Sequence, residues 1–525
     1  MRRMSVFLAL LLCNVYFTRH VDSARILAIF PLEIPNQFFF FQEILWTLVE
    51  QGHKLDVISH YPLIKPHPNY VNIIQLTGKG PKFTINLTAD TLESLANKPV
   101  EYYGELYGNK ACELLALPEF KKLIEEPQTD PPYDLVITEL LYANCYFAFG
   151  RHFKVPVVAV SMSALPPYVS ESLGNPANTA FVSEHIDGST LYMNFWQRFK
   201  NTLHTWWTNY RVRRTTEVQN NIVKKHFGAD MPDIRELERD LSLLLVNSHH
   251  SLNGVRPFTS AVVEIGGLHV RDDGMELPEE LKAWMDSSSD GFIYISFGSL
   301  LTIDNFPKDI VAELYSAIAK IDPIRVLLKG AAPEALPPGL PTNVLAMEVV
   351  SQRQVLKHGN IRAYVMQGGS LEIHEAVMFA VPFIGLPIFP EPQRNVKNCV
   401  EKGVAISIDF RDFTADKFAA AVTEIVGDEK YKNNIVLLAR RFLDRPRSPL
   451  DTAIFWIEYI LKNGGDALRS PAVKLSWWQL VLLDIYASIM AAVILAIYIC
   501  KRLTLIVIRR LFRPHPTLPT SKKMV

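Results

Sequence analysis

The chain has 525 residues, long enough for two domains with complete cores. Lys+Arg and Asp+Glu each total 54, so no charge excess points to a nucleic acid or to an acidic partner. A hydrophobic content of 49% is high for a wholly water-soluble chain and directs attention to membrane segments.

The chain opens on Met1-Arg2-Arg3, an apolar run over 6–13 and a small-residue cleavage site at Asp22-Ser23-Ala24. Residues 1–24 therefore read as a secretory signal peptide. Residues 25–30 (RILAIF) form a buried-strand pattern, 31–35 a loop, and 39–51 a helix with an apolar stripe, ended by Gly52-His53 before a strand at 55–59. Such a βαβ unit belongs to an open parallel sheet. Ligands there sit over the carboxyl ends of the strands, so the loop 32–37 is a candidate site by geometry alone.

Asn86-Leu87-Thr88 is a glycosylation sequon, with Asn86 as its acceptor. Residues 135–138 and 156–161 are further strands, and 196–223 is a long, aromatic-rich amphipathic helix. Trp206, Trp207 and Tyr210 in it read as core packing, with a wall for a lipophilic substrate as the alternative. After a strand at 243–247 the pattern restarts past Pro278, with a strand at 292–296, the turn Phe297-Gly298-Ser299, a helix at 307–320 and a strand at 326–328. The restart divides the body into 25–255 and 256–440. Cys112, Cys145 and Cys399 are scattered and read as neither a disulfide framework nor a metal site.

In the stretch 349–395, Gln367-Gly368-Gly369 separates an apolar strand from a helix. A diglycine there lets backbone N–H groups approach a phosphate, and it equally suits tight strand–helix packing. Residues 441–475 are a helical segment leading to the membrane, broken by Pro446 and Pro449. A transmembrane helix follows at 476–500: residues 485–500 are apolar throughout, 480–483 extend them to about 20 residues, and Trp477 and Trp478 suit an interfacial belt. Lys501, Arg502, Arg509, Arg510 and Arg513 make 501–525 a basic cytosolic tail, giving type I topology. Lys522-Lys523 near the end resembles the dilysine retrieval signal of endoplasmic reticulum membrane proteins.

Gln352, His358, Gly368-Gly369, Glu375, Val381-Pro382, Gly385, Pro387 and Arg394-Asn395 resemble, at matching spacing, the donor-binding signature of the UDP-glycosyltransferases. RILAIF, QGHKLDVISHYP, NSHHSLNGVRPF and GFIYISFGS fall in family order, so the resemblance spans the chain and is to the animal, especially arthropod, members. It implies an α/β GT-B fold: two facing doubly wound, Rossmann-like domains plus a C-terminal transmembrane helix. It also implies inverting transfer of a hexosyl group from a UDP-sugar to the hydroxyl of a small lipophilic acceptor, with no metal or other cofactor, at a membrane. Homo- or hetero-oligomers with other members are a further implied partnership, and nucleic acid is not.

The family's catalytic positions are altered. The general-base histidine, on the loop after the first strand, is replaced by Gln37, and its aspartate partner, before Cys145, by Asn144. Neither amide can accept a proton, and losing a general base costs about 10²–10⁴-fold in rate. Glu33, on the same loop, is the one nearby candidate for a substitute base, and a loop carboxylate equally reads as a solvated surface group. On the donor side the uracil-stacking tryptophan is Val349, the diphosphate-contacting histidine is Gln367, a serine is Glu372, and the pair that holds the sugar is Glu391-Pro392, followed by Gln393. Ser299, Gln352, Gly368, Gly369 and Glu375 keep the family pattern, with Glu375 at the ribose position. Two readings follow: a transferase with an unusual base, or a catalytically inactive member that binds a lipophile or regulates active homologues.

Overall fold

The computed structural model describes residues 23–512, except 64–65, 81–97, 127–129, 166, 177, 183–192, 272–273, 299–302, 304–305, 331–333 and 335. The signal peptide up to residue 22, Asn86, Ser299 and Lys522-Lys523 lie outside the described residues. The chain divides into two compact units, one ending at Ser470 and the other beginning at Pro471.

The first unit holds two parallel sheets. Strands β1 (Arg25–Ile29), β2 (Lys54–Ser59), β3 (Tyr70–Gln75), β4 (Leu135–Glu139), β5 (Val157–Ser161), β6 (Leu241–Val246) and β7 (Val262–Glu264) are ordered β3-β2-β1-β4-β5-β6-β7. Strands β8 (Phe292–Ile295), β9 (Arg325–Lys329), β10 (Val344–Met347), β11 (Ile361–Met366), β12 (Phe383–Gly385) and β13 (Ala405–Ser407) are ordered β10-β9-β8-β11-β12-β13. Their near-continuous apolar runs suit strands covered on both faces, and β1, β4, β5 and β6 are buried almost end to end. In both sheets the order reverses once, between β1 and β4 and between β8 and β11, which opens a crevice over the carboxyl ends.

Several boundaries differ from the sequence reading. Helix α1 (Pro35–Glu50) starts four residues early, because Pro35 at its first turn has the helical φ built in. Gln37 therefore sits on a helix, not a loop. The first sheet runs through Glu264, past the boundary at 255. The aromatic segment is two helices, α2 (Phe195–Thr216) and a shorter one at Gln219–Phe227. Trp206, Trp207 and Tyr210 are 65%, 57% and 51% exposed, so they are not core. Cys112 and Cys145 form a disulfide across 33 residues, which their spacing alone could not signal.

Helices α3 (Ser370–Met378) and α4 (Pro390–Glu401) follow β11 and β12. Helix α5 (Pro449–Asn463), expected to lead to the membrane, instead returns to the first sheet. Its Leu450, Ala453, Ile454, Ile457 and Ile460 join a buried cluster with Leu45, Leu48, Leu243 and Leu245 of α1 and β6. Ile457 is wholly buried there. Ile457→Ala is expected to cost about 2–5 kcal/mol, read as a lower thermal unfolding midpoint with the cleft residues untouched.

The second unit contains a short helix at Trp477–Leu480 and α6 (Leu483–Leu511), a 29-residue apolar helix long enough to cross a bilayer. It begins after the expected start at 476 and continues past 500 through Lys501, Arg502, Arg509 and Arg510.

Candidate functional site

The first crevice is built where β1 and β4 diverge. Leu32 follows β1, and its N–H donates to Glu139 Oε1 at 3.0 Å; Glu139 is the last residue of β4. From the first turn of α1, Gln37 Nε2 donates to Glu139 Oε2 at 2.5 Å. Both side chains are buried, at 3% and 2% exposure. Burial pushes the Glu139 carboxyl up to about 8, opposed by the Leu32 and Gln37 hydrogen bonds. The carboxylate bonded to Gln37 is thus Glu139, not the residue at 144.

Asn144 points elsewhere. Its Nδ2 donates to Glu238 Oε1 at 2.5 Å, in a buried polar cluster completed by Arg235 and by Ser172 Oγ at 3.2 Å. Glu33 Oε2 is buried without a hydrogen-bond partner, and its charge bears on His60 and Tyr61 at the end of β2. His60 Nε2 lies 3.0 Å from the Pro31 carbonyl, and burial lowers its pKa, so the nearby imidazole is tied to the backbone.

The second crevice lies where β8 and β11 diverge. Gly368 has φ +94°, and a Cβ there would collide with Val396 of α4, so this glycine serves close packing as well as approach. The Gly368 and Gly369 N–H groups are not open. Both donate to Glu372 Oε2, at 3.2 and 3.1 Å, from the first turn of α3. The other oxygen of Glu372 lies 3.1 Å from where a Cβ would stand on Gly298, in the turn after β8. Glu372 therefore fills the space between the two glycine turns. Desolvation raises its pKa to about 7, against the two backbone hydrogen bonds, and Glu375 raises it further while Lys329 lowers it.

Around this carboxylate the polar residues are already engaged. Gln352 Nε2 donates to Glu375 Oε2, Tyr294 OH donates to Gln352 Oε1 at 3.1 Å, and Arg353 Nε lies 3.6 Å from Glu375 Oε1. Burial raises the Glu375 carboxyl. Glu391 accepts from Ser370 Oγ at 2.7 Å and from Asn395 Nδ2 at 3.3 Å. Gln393 Nε2 donates to the Ile388 carbonyl at 3.2 Å. Gln367 is buried at 7% exposure, whereas Val349 is 77% exposed.

The crevices communicate. Tyr142, just after β4, has its hydroxyl pushed up to about 12 by burial, with Arg394 of α4 pulling it down and Glu391 pushing it up. From the segment after β7, Gly267 N–H donates to His374 Nδ1 at 3.1 Å, and His269 Nε2 lies 3.1 Å from the Leu371 carbonyl. Sequence reading missed Glu139, Lys329 and Tyr142 as site residues. A charge closing an apolar strand, as in LVITE and RVLLK, was the available signal for the first two. No metal-binding group of three or more residues occurs among the described residues.

The family model "UDP-glucoronosyl and UDP-glucosyl transferase" matches residues 86–515. The chain belongs to this family. As a family member it is 31% identical to UDP-glucosyltransferase 2 of Dactylopius coccus, over 92% of this chain and 93% of that one. Against UDP-glucuronosyltransferase 2B15 of Homo sapiens identity is 26%, over 97% of each. The fold of this glycosyltransferase-family chain matches that of a UDP-glucose: anthocyanidin 3-O-glucosyltransferase in complex with UDP, with a TM-score of 0.53 at 14% identity over 84% of this chain and 99% of that one. A glycotransferase of kitacinnamycin gives 0.56 at 16% identity, over 83% and 99%. The two facing parallel sheets are the GT-B fold.

Proposed function

We propose that this family member transfers a hexosyl group from a UDP-sugar to the hydroxyl of a small lipophilic acceptor, with Glu139 taking the proton. The observation that supports this is the buried Glu139 carboxyl, poised at about 8 and one hydrogen bond from the position of the missing histidine. An acceptor hydroxyl that displaces Gln37 Nε2 from Glu139 Oε2 puts its proton on that oxygen. Its own oxygen then attacks the anomeric carbon from the face opposite UDP, and the bond from that carbon to the diphosphate breaks with its electron pair leaving on UDP. No metal or organic cofactor enters; the UDP-sugar is the co-substrate.

Ser299, Gln352 and Glu375 hold the nucleoside in this reading, Gln367 the diphosphate together with the diglycine N–H groups once Glu372 releases them, and Glu391 and Gln393 the sugar. Asn144 orders the acceptor wall through Glu238. Helix α6 with Lys522-Lys523 supports a type I anchor in the endoplasmic reticulum membrane, with a lumenal body glycosylated on Asn86.

A second reading is favoured by Glu372: with the cradle held by an internal carboxylate, the chain binds lipophiles, or pairs with active homologues, without turnover. UDP release from UDP-glucose, measured with a phenol and sterol panel, separates the two. Release that disappears in Glu139→Gln supports transfer through Glu139. No release across the panel, together with no UDP binding by calorimetry, overturns it.

A further inference from the structure

Helix α2 is amphipathic in the wrong sense for a water-facing helix. Its buried positions are Asn201, Thr205, Asn209, Val212 and Thr216, four of them polar. Its exposed large residues are Phe195, Trp196, Phe199, Leu203, Trp206, Trp207 and Tyr210, each between 48% and 66% exposed. At 3.6 residues per turn these seven fall within an arc of about 120°, away from the buried row. Asn201 Nδ2 is satisfied inward by the Thr179 and Val182 carbonyls, at 2.7 and 2.8 Å, so the polar face is held against the protein.

A stripe of six aromatic rings and a leucine facing outward needs an apolar partner. Its composition chooses among them. Three tryptophans, two phenylalanines and a tyrosine suit the headgroup level of a bilayer, where an amphipathic ring has one wet edge. The helix holds no acidic residue; of its cations Arg211 and Arg213 already pair with Glu101 and Glu171, which leaves Arg198, Lys200 and Arg214 to meet phosphate headgroups. The chain also carries α6, a helix long and apolar enough to cross a bilayer.

We propose that the outward face of α2 lies in the headgroup–acyl boundary of the membrane that anchors the chain, making the body a monotopic as well as a tethered one. The proposal rests on the spanning reading of α6 and not on turnover. Behind the helix, Thr205 lines a small apolar cavity with Leu165, Pro167, Val182 and Phe258.

The test uses the full chain in phosphatidylcholine nanodiscs, with Cys500→Ser removing the exposed thiol. An environment-sensitive nitrobenzoxadiazole probe is attached at Trp206→Cys, at Glu429→Cys as an exposed control, and at Val493→Cys within α6. The expected result is a blue-shifted 206 probe, quenched by doxyl groups on the acyl chains and shielded from iodide, while the 429 probe behaves oppositely. Adding phosphatidylserine strengthens the quenching at 206. Iodide quenching at 206 equal to that at 429 overturns the docking, and doxyl quenching retained at 493 then leaves the anchor intact. Shielding at 206 from both quenchers, with one copy per disc, means that the protein itself covers the stripe and also overturns it. So does shielding that appears only with two copies per disc. Loss of doxyl quenching at 493 overturns the anchor and the docking together.

Discussion

Glu372→Ser tightens UDP binding by about 10- to 100-fold, read by calorimetry at neutral pH. The wild-type carboxylate acts twice against a diphosphate. It takes the two N–H donors of Gly368 and Gly369, and it places a negative charge in the cradle proposed for the phosphates. Two unit charges about 4 Å apart cost about 4 kcal/mol at an effective dielectric of 20, more than two backbone hydrogen bonds return. The pH dependence identifies the cause. Because the Glu372 pKa is raised to about 7, the group is charged above that pH and neutral below it. Wild-type affinity for UDP should therefore fall as pH rises from 6 to 8, and the Glu372→Ser protein should lose that fall. Equal affinities and equal pH profiles for the two proteins would show that the carboxylate swings clear of the cradle at no cost.

Glu139→Gln lowers transfer by about 10²–10⁴-fold while leaving UDP affinity unchanged, because the substitution keeps the shape and one acceptor oxygen, for the Leu32 N–H, but puts an NH2 in place of the oxygen that takes the proton. At saturating donor, wild-type kcat should climb with pH through about 8 as Glu139 deprotonates, and the variant should be flat. Gln37→Ala, which uncovers Glu139 Oε2, should retain or raise kcat; a fall as large as that of Glu139→Gln would place the essential contact on the amide instead. Activity unaltered in Glu139→Gln would exclude this carboxylate as the proton acceptor.

The fold was legible because parallel sheets write themselves as repeated apolar runs. RILAIF and the strand before Gln367 announced two crevices, and the diglycine located the second. The residues facing into those crevices were harder to read. Glu139 ends β4 and Asn144 opens a short helix five positions later, and only the direction in which the chain leaves β4 decides which of them meets Gln37. Glu372 showed in the sequence as a charge in place of a serine, but its occupation of both N–H donors depends on a helix starting at Ser370, which puts Glu372 in the first turn. The aromatic helix misled for a different reason. Periodicity shows that one face differs from the other and cannot say which face turns inward, so Trp206 and Trp207 read as core when the protein packs on Asn201 and Thr205.

Helix α5 has a consequence for synthesis. The first sheet is finished at Glu264, yet the apolar strip on α1 and β6 waits for residues 449–463, which emerge about 200 residues later. At 5–20 residues per second that is an interval of about 10–40 s in which a nearly complete domain carries an uncovered hydrophobic seam. A nascent chain in that state invites chaperone capture, and any truncation before Pro449 makes the interval permanent. The half built on the first sheet is thus encoded first and closed last.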